Sequence, residues 1–336
     1  MKISVIIPNY NRANVIAETL DNMLVQTRAP DEVIVVDDGS SDDSISVIKK
    51  FEPHVTLIRQ ANSGPGAARN RGFEASSGDL IQFMDSDDLA SLNKLEIQAD
   101  LLSESGADFA YCPWIRTAIL DRTMEFKGPL MQASAIPNWK PMLEWAVGSW
   151  CIVFQNCLFR RNILSKAGRY RTDLMPTEDS EYFLRILLAG AQPIFTNDCA
   201  VFYRVEAGDQ ITADGTSNIA RAKDLTKYYE IVGSLLEDRF PAMHASTRRE
   251  LASSVFNHNK YCDGIGVKGT NAESAIQTLV NAYSRSELAL SSFWTRVTRK
   301  LKRIPPAVPN QSALKCAKPD ERIEELVEGA GYGVCQ

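Results

Sequence analysis

Three carboxylates within four residues, Asp85-Ser86-Asp87-Asp88, follow directly on the apolar run at 80–84. Like charges this close repel one another, and burying them without compensation is costly. A divalent cation relieves the repulsion. Mg2+ or Mn2+ takes one or two protein carboxylates and completes its shell with water and phosphate oxygens. Helix capping ahead of Leu92 is the competing reading, and it accounts for Asp88 but not for three acids at a strand end. A second acidic pair, Asp37-Asp38, is followed by Gly39-Ser40, where one carboxylate can accept a ring N–H or a ribose hydroxyl, or simply serve a turn. A third, Glu178-Asp179, opens a helical stretch. The helix dipole there favours the ionised carboxylate, which can act as general base on a hydroxyl or merely cap the helix. Gly64-Pro65-Gly66-Ala67-Ala68-Arg69 looks like a dinucleotide loop, but Arg69 replaces its third glycine and Pro65 removes a backbone donor. Arg69, Asn70 and Arg71 instead offer cationic and amide donors beside the acids.

The elements that position these groups alternate over the first hundred residues. Strands are expected at 3–7, 32–36, 55–58 and 80–84, and helices at 14–26, 44–51, 65–75 and 92–102. Continuous apolar strands joined by short helical crossovers imply a doubly wound α/β sheet. Asn9-Tyr10-Asn11, Asp37 to Ser40 and Asp85 to Asp88 each leave a strand at its carboxyl end, the edge where open parallel sheets bind ligands. Residues 106–210 are less regular and tryptophan-rich, with a strand-like run at 151–159, a helix at 179–188 and a strand at 200–205. From about 216 the pattern turns helical, at 219–239, 245–261 and 272–284.

Composition narrows the function class. The chain has 336 residues, 44% hydrophobic and 24% charged, enough to bury a large core. Thirty-seven basic against 42 acidic residues give a net charge of −5, which removes the overall basic footprint of a nucleic-acid binder. Seven cysteines without CxxC spacing argue against a disulfide framework or structural zinc, and His54, His244 and His258 show no metal-ligand spacing. No apolar run approaches the ~20 residues of a membrane span, and the opening Met1-Lys2-Ile3 reads as a strand rather than a leader. A cytoplasmic enzyme is the expectation. One stretch qualifies it. At 288–304 the apolar residues Phe293, Trp294, Val297, Leu301 and Ile304 recur at helical spacing among Arg296, Arg299, Lys300, Lys302 and Arg303, without an acid. That suits peripheral contact with an anionic membrane face, or packing of the apolar stripe on the protein's own body.

Taken in order, these motifs resemble the inverting family-two glycosyltransferases of GT-A fold. The matching runs are Val5 to Asn11, Val36 to Asp42, Gly66 to Gly72, Phe83 to Asp88, Glu178 to Arg185 and Tyr203-Arg204, together covering about residues 1–210. The resemblance implies a doubly wound mixed sheet flanked by helices. It divides residues 1–215 into a nucleotide-sugar half at 1–105 and an acceptor half at 106–215, and the helical pattern sets apart a C-terminal region at 216–336. Pro8 and Tyr10 would lie at the nucleobase, with Asp38 accepting a hydrogen bond from a base such as uracil. Arg69 and Ser86 would contact the donor. Asp87 would ligate Mn2+ or Mg2+, with Asp85 nearer the ribose or a metal-bound water. Asp179 would be the catalytic base. Asn11, Asn70, Asp88, Glu178, Arg185 and Arg204 are further candidates within the motifs, and Glu206 stands where many relatives carry histidine. The implied activity moves a sugar from a nucleotide-diphosphate sugar, UDP first among them, to a glycan or lipid-linked acceptor in envelope polysaccharide synthesis. A nucleotidyltransferase would want a glycine-rich basic loop where Asn9-Tyr10-Asn11-Arg12 stands, and an inactive sugar-binding or scaffold protein would want damaged acidic motifs.

Overall fold

The computed structural model describes residues 1–148, 153–205, 218–288, 319 and 321–334. The first elements are β1 (Ile3–Asn9), α1 (Ile16–Leu24), β2 (Glu32–Asp37), α2 (Ser44–Ile48), β3 (Thr56–Arg59), α3 (Pro65–Ala75) and β4 (Leu80–Phe83). There follow β5 (Leu89–Ala90), α4 (Lys94–Glu104), β6 (Phe109–Tyr111), β7 (Trp114–Leu120), β8 (Thr123–Phe126) and α5 (Met142–Gly148). Next come β9 (Cys157–Arg160), α6 (Arg161–Ala167), α7 (Glu178–Leu188), β10 (Pro193–Phe195) and β11 (Val201–Arg204). The rest is α8 (Asn218–Leu236), α9 (Ala245–Gly264), α10 (Ala275–Asn281), α11 (Glu321–Gly329) and β12 (Gly333–Val334).

The main sheet runs β10-β6-β9-β4-β1-β2-β3. Alternate residues of β1 enter opposite cores. Ile3, Val5 and Ile7 pack with α1, α2 and α4 on one face, while Ile6 joins Ile81 and Phe83 against α6 and α7 on the other. Burial on both faces explains the unbroken apolar run. The chain winds from β1 outward through β2 to β3, then crosses back so that β4 pairs with the opposite side of β1. Such a switch point leaves a crevice beyond the carboxyl ends of the two strands. The loops after β1 and β4 carry Asn9 to Arg12 and Asp85 to Asp88, so the acids stand at that crevice as their spacing foretold. The sheet is mixed, because β9 is antiparallel to both β4 and β6.

A second sheet, β12-β8-β7-β11-β5, stands beyond the acidic loop. It takes β5 immediately after Asp88 and pairs it antiparallel with β11, which carries Arg204. Helices α8, α9 and α10 enclose a third core that also takes Leu184 from α7 and the flanks of Leu143 and Val147 from α5. The C-terminal region is not helical throughout: Ile323 and Val327 of α11 enter the core of the second sheet, and β12 adds to its edge beside β8. Among the described residues no helix is long and apolar enough to cross a membrane. The basic amphipathic stretch at 288–304 lies, beyond Leu288, outside the described residues, as does Glu206.

Candidate functional site

Helix α3 starts where Gly64, at φ +87°, turns the chain into Pro65. Only glycine takes that left-handed conformation readily, and proline is preset for a first helical turn. The start is fastened by Asp38, whose Oδ2 accepts from Gly64 N (2.8 Å) while its Oδ1 accepts from Ser63 N (2.9 Å) and Gln60 Nε2 (2.7 Å). Along the helix, Gly72 lies so close to β1 that a Cβ would collide with the Ile6 side chain. Between these two anchors the helix carries Arg69 into the crevice.

Arg69 is 4% exposed and gathers three carboxylates from two places in the sequence. Its Nη2 donates to Asp85 Oδ1 at 2.8 Å, and its Nη1 donates to Glu178 Oε1 at 3.3 Å and lies 3.2 Å from Asp179 Oδ1. The guanidinium stands 5.4 Å over the Tyr170 ring, itself buried in the aromatic core with Tyr182 and Phe154. Burial would depress the Arg69 pKa, but Asp179, Asp85 and Glu178 around it raise it well above its ordinary value. Asp179 and Glu178 are raised as well, but by burial. Burial pushes Asp179 above the usual carboxylate range, opposed by Arg69 and assisted by the charge of Asp85. Burial and neighbouring Asp179 push Glu178 up to about 7, against the pull of Arg69. Glu178 Oε2 and Asp179 Oδ1 are buried atoms that no hydrogen bond satisfies.

The rest of the acidic loop divides by role. Asp88 is buried, its Oδ1 accepting from Arg204 N (2.8 Å) and its Oδ2 from Gln155 Nε2 (2.8 Å). Gln155 Nε2 also donates to Asp85 Oδ2. Burial, with Asp87 and Asp85 adjacent, holds the Asp88 carboxyl well above the usual range. Asp87 retains 26% of its side-chain surface, its Oδ2 3.3 Å from Arg12 Nε. Burial and then Asp85 raise its pKa, with Arg12 opposing. Thr19 Oγ1 donates to the carbonyls of Ser86 and Asp88 (3.1 and 3.0 Å), fixing the turn from α1.

The candidates from the sequence therefore separate. Asp85, Arg69, Glu178 and Asp179 come together, with Asp87 and Ser86 on the same loop. Pro8 and Tyr10 stand on the rim at the end of β1, Tyr10 45% exposed. Several of these candidates also hold the protein itself. Arg69, expected at the nucleotide, pairs with three carboxylates. Asp38 was expected at the base, yet three of the about four acceptor positions of a carboxylate are filled by the loop it holds. Asn11, at φ 52°, clasps the neighbouring loop through Oδ1 to Ser41 N (2.8 Å). Asn70 exchanges two hydrogen bonds with the Tyr170 backbone (3.0 and 2.8 Å), and Arg185 binds Glu181 and the Ala167 and Arg169 carbonyls on the far side of α7. Asp88 is a buried tie to Arg204 and Gln155. Arg204 donates to the Asp87 carbonyl (2.7 Å) and to Glu18 (2.6 Å), locking β11 to the acidic loop.

Gln155 and Tyr170 were missed by sequence reasoning. The register that pairs Leu80 with Arg160 and Ile81 with Phe159 carries Gln155 opposite Asp85, so an antiparallel β9 beside β4 was the signal that would have found it. Spacing alone does not reveal that pairing.

Residues 4–168 match the model of glycosyl transferase family 2. This region belongs to that family. Among the relatives is the glycosyltransferase YibD of Escherichia coli, 29% identical over 191 residues, 53% of this chain and 56% of YibD. The poly(ribitol-phosphate) beta-glucosyltransferase of Bacillus spizizenii is 44% identical over 95 residues, 26% of this chain and 15% of that protein. The chain spans less than two thirds of the length of such family 2 relatives. Among solved structures, residues 1–349 of Staphylococcus aureus TarS in complex with UDP-GlcNAc align with TM-score 0.57 at 20% identity, covering 78% of this chain and 73% of that one. The mannosyltransferase PcManGT of Pyrobaculum calidifontis in complex with GDP-Man and Mn2+ aligns with TM-score 0.52 at 18% identity, covering 98% and 86%. These likenesses establish the GT-A fold.

The donor set is one of hard oxygens, which suits Mg2+ or Mn2+. Among the described residues no group of three or more His, Cys, Asp or Glu forms a cage for a metal. A cation held by one or two carboxylates and completed by substrate phosphates needs no such cage. Asp87 and Asp85, crowded like charges at the crevice, fit that arrangement.

Proposed function

We propose that the chain is an inverting glycosyltransferase that moves a sugar from a nucleotide-diphosphate donor, a UDP-sugar foremost, to a hydroxyl of a glycan or lipid-linked acceptor. The observation that carries this reading is the pairing of Arg69 with Asp85 on one side and Asp179 on the other, 94 residues apart in sequence. One buried guanidinium ties the loop proposed to hold the donor to the carboxylate proposed as base. The UDP-GlcNAc and GDP-Man in the related structures support a nucleotide-sugar donor, and the Mn2+ in one of them supports a cation.

In this mechanism Asp87, with Asp85 beside it, would hold a divalent cation, which when bound would supply charge neutralisation for the departing diphosphate. Asp179 takes the proton of the acceptor hydroxyl as its oxygen attacks the anomeric carbon. The bond from that carbon to the diphosphate oxygen breaks on the opposite face, and the bonding pair leaves with the nucleoside diphosphate. Inversion follows from the single displacement. Arg69 keeps Asp179 and Asp85 at fixed separation, and the elevated Asp179 pKa makes it a stronger base once ionised.

The test is release of nucleoside diphosphate from a panel of UDP-, GDP- and dTDP-sugars with Mn2+ or Mg2+, with product configuration read by NMR. Asp179→Asn is expected to lower kcat by about 10²–10⁴-fold while UDP affinity stays within about twofold of the parent. Undiminished transfer by that variant removes Asp179 from the base role.

A further inference from the structure

Arg69, buried among three carboxylates, is not placed to meet a diphosphate, and yet Asp87 already has a cation beside it. That cation is Arg12, whose Nε lies 3.3 Å from Asp87 Oδ2 with both side chains partly exposed, 19% and 26%. The pair spans two loops at the switch point, one leaving β1 and the other β4. Around Arg12 the backbone is fixed by bonds that do not involve the side chain. Its N–H donates to Ser44 Oγ (3.0 Å), and its carbonyl accepts from Val15 N and Ile16 N (3.0 and 2.9 Å) at the start of α1. The guanidinium touches the Asn11 carbonyl at 3.3 Å. A long flexible side chain on an anchored loop can leave one anion for another without moving the fold.

Resting on the glycosyltransferase reading, we infer that Arg12 is a resident counter-cation of Asp87 that gives way to the divalent cation and then binds the phosphates of the nucleoside diphosphate. The chemistry is an exchange of partners. Asp87 beside Asp85 needs a positive neighbour at all times, since two adjacent carboxylates stripped of one are strongly disfavoured. A divalent ion is the stronger neighbour and displaces the guanidinium. The freed planar fork then matches a phosphate, which it binds in bidentate fashion. Metal and nucleotide binding become coupled through a single side chain: the metal must compete with Arg12, and the nucleotide rewards its release.

The experiment measures Mn2+ binding by electron paramagnetic resonance without nucleotide, and UDP binding by calorimetry at saturating Mn2+, in the full chain and in Arg12→Gln. Without nucleotide the variant is expected to bind Mn2+ about twofold to fivefold more tightly, the scale of a partly exposed ion pair. Its UDP affinity at saturating Mn2+ is expected to fall by about the same factor. A loop-stabilising role alone would weaken both, or neither, so opposite signs are the signature. If Arg12→Gln melts early, Arg12→Lys, which keeps the charge but loses the fork, is expected to leave Mn2+ binding near the parent's and still weaken UDP. Unchanged or weaker Mn2+ binding in a folded Arg12→Gln, or unchanged UDP binding in Arg12→Lys, overturns the role of Arg12. A parent chain that binds neither Mn2+ nor UDP overturns the glycosyltransferase reading and Arg12 with it.

Discussion

Glu178 sits one residue before the proposed base and is more deeply buried than it. Its first oxygen meets Arg69 and its second meets nothing, so ionising it places a charge where only half the compensation exists. Burial, with Asp179 adjacent, pushes its pKa up to about 7 from an ordinary 4.5. The sign of the consequence is fixed. The unfolded chain loses this proton near the ordinary value while the folded chain keeps it. Stability from this group is therefore full below the unfolded pKa and drains away as pH rises through about 7. Unfolding in denaturant at pH 5 and pH 8 is expected to show the parent losing up to about 3 kcal/mol relative to Glu178→Gln. Equal pH dependence in the two proteins would mean that Glu178 is solvated in solution. The same crowding makes Arg69 structurally important, because removing it would leave Asp85, Asp179 and the buried Glu178 without this counter-charge.

Helix α3 is the element that converts this chemistry into geometry. Asp38 pins its first residues and Gly72 seats its middle against β1, so Arg69 is placed from both ends. Ile6 is fully buried on a central strand and cannot yield to a new methyl group. Gly72→Ala is expected to cost about 1–3 kcal/mol in denaturant unfolding, and to weaken UDP binding at the same time because Arg69 shifts with the helix. A loss of stability with UDP affinity unchanged would show that the crevice tolerates a displaced α3. A similar closeness holds at Gly66, where a Cβ would come 2.9 Å from the Arg171 carbonyl. Both glycines lie within the Gly66 to Gly72 run, and both allow the close approach of a helix to its neighbours.

At the scale of the molecule, the helices beyond residue 218 are part of the same packing as α7. Leu184, on the helix that begins with Glu178 and Asp179, is buried in the core of α8, α9 and α10, and Leu188, Leu143 and Val147 pack on its flank. A chain ending at residue 216 is expected to expose these side chains, to bind 8-anilinonaphthalene-1-sulfonate several-fold more than the full chain, and to associate in light scattering. A monomeric fragment melting like the parent would make 1–215 a self-sufficient unit. The amino-acid sequence determined the alternation of strands and helices over the first hundred residues, because apolar period and turn residues act over a few neighbours. It also determined that the acids share one rim, because parallel strands share a direction. Only the tertiary structure decided which acid does what. Antiparallel β9 brings Gln155 to Asp85, and the second sheet folds Arg204 over Asp88 and removes it from the solvent. Arg69 joins Asp85 to Glu178 and Asp179 across about ninety residues of intervening chain. Charge pairing and desolvation depend on neighbours that are distant in sequence, so adjacent aspartates become a buried tie at Asp88 and a partly exposed carboxylate at Asp87.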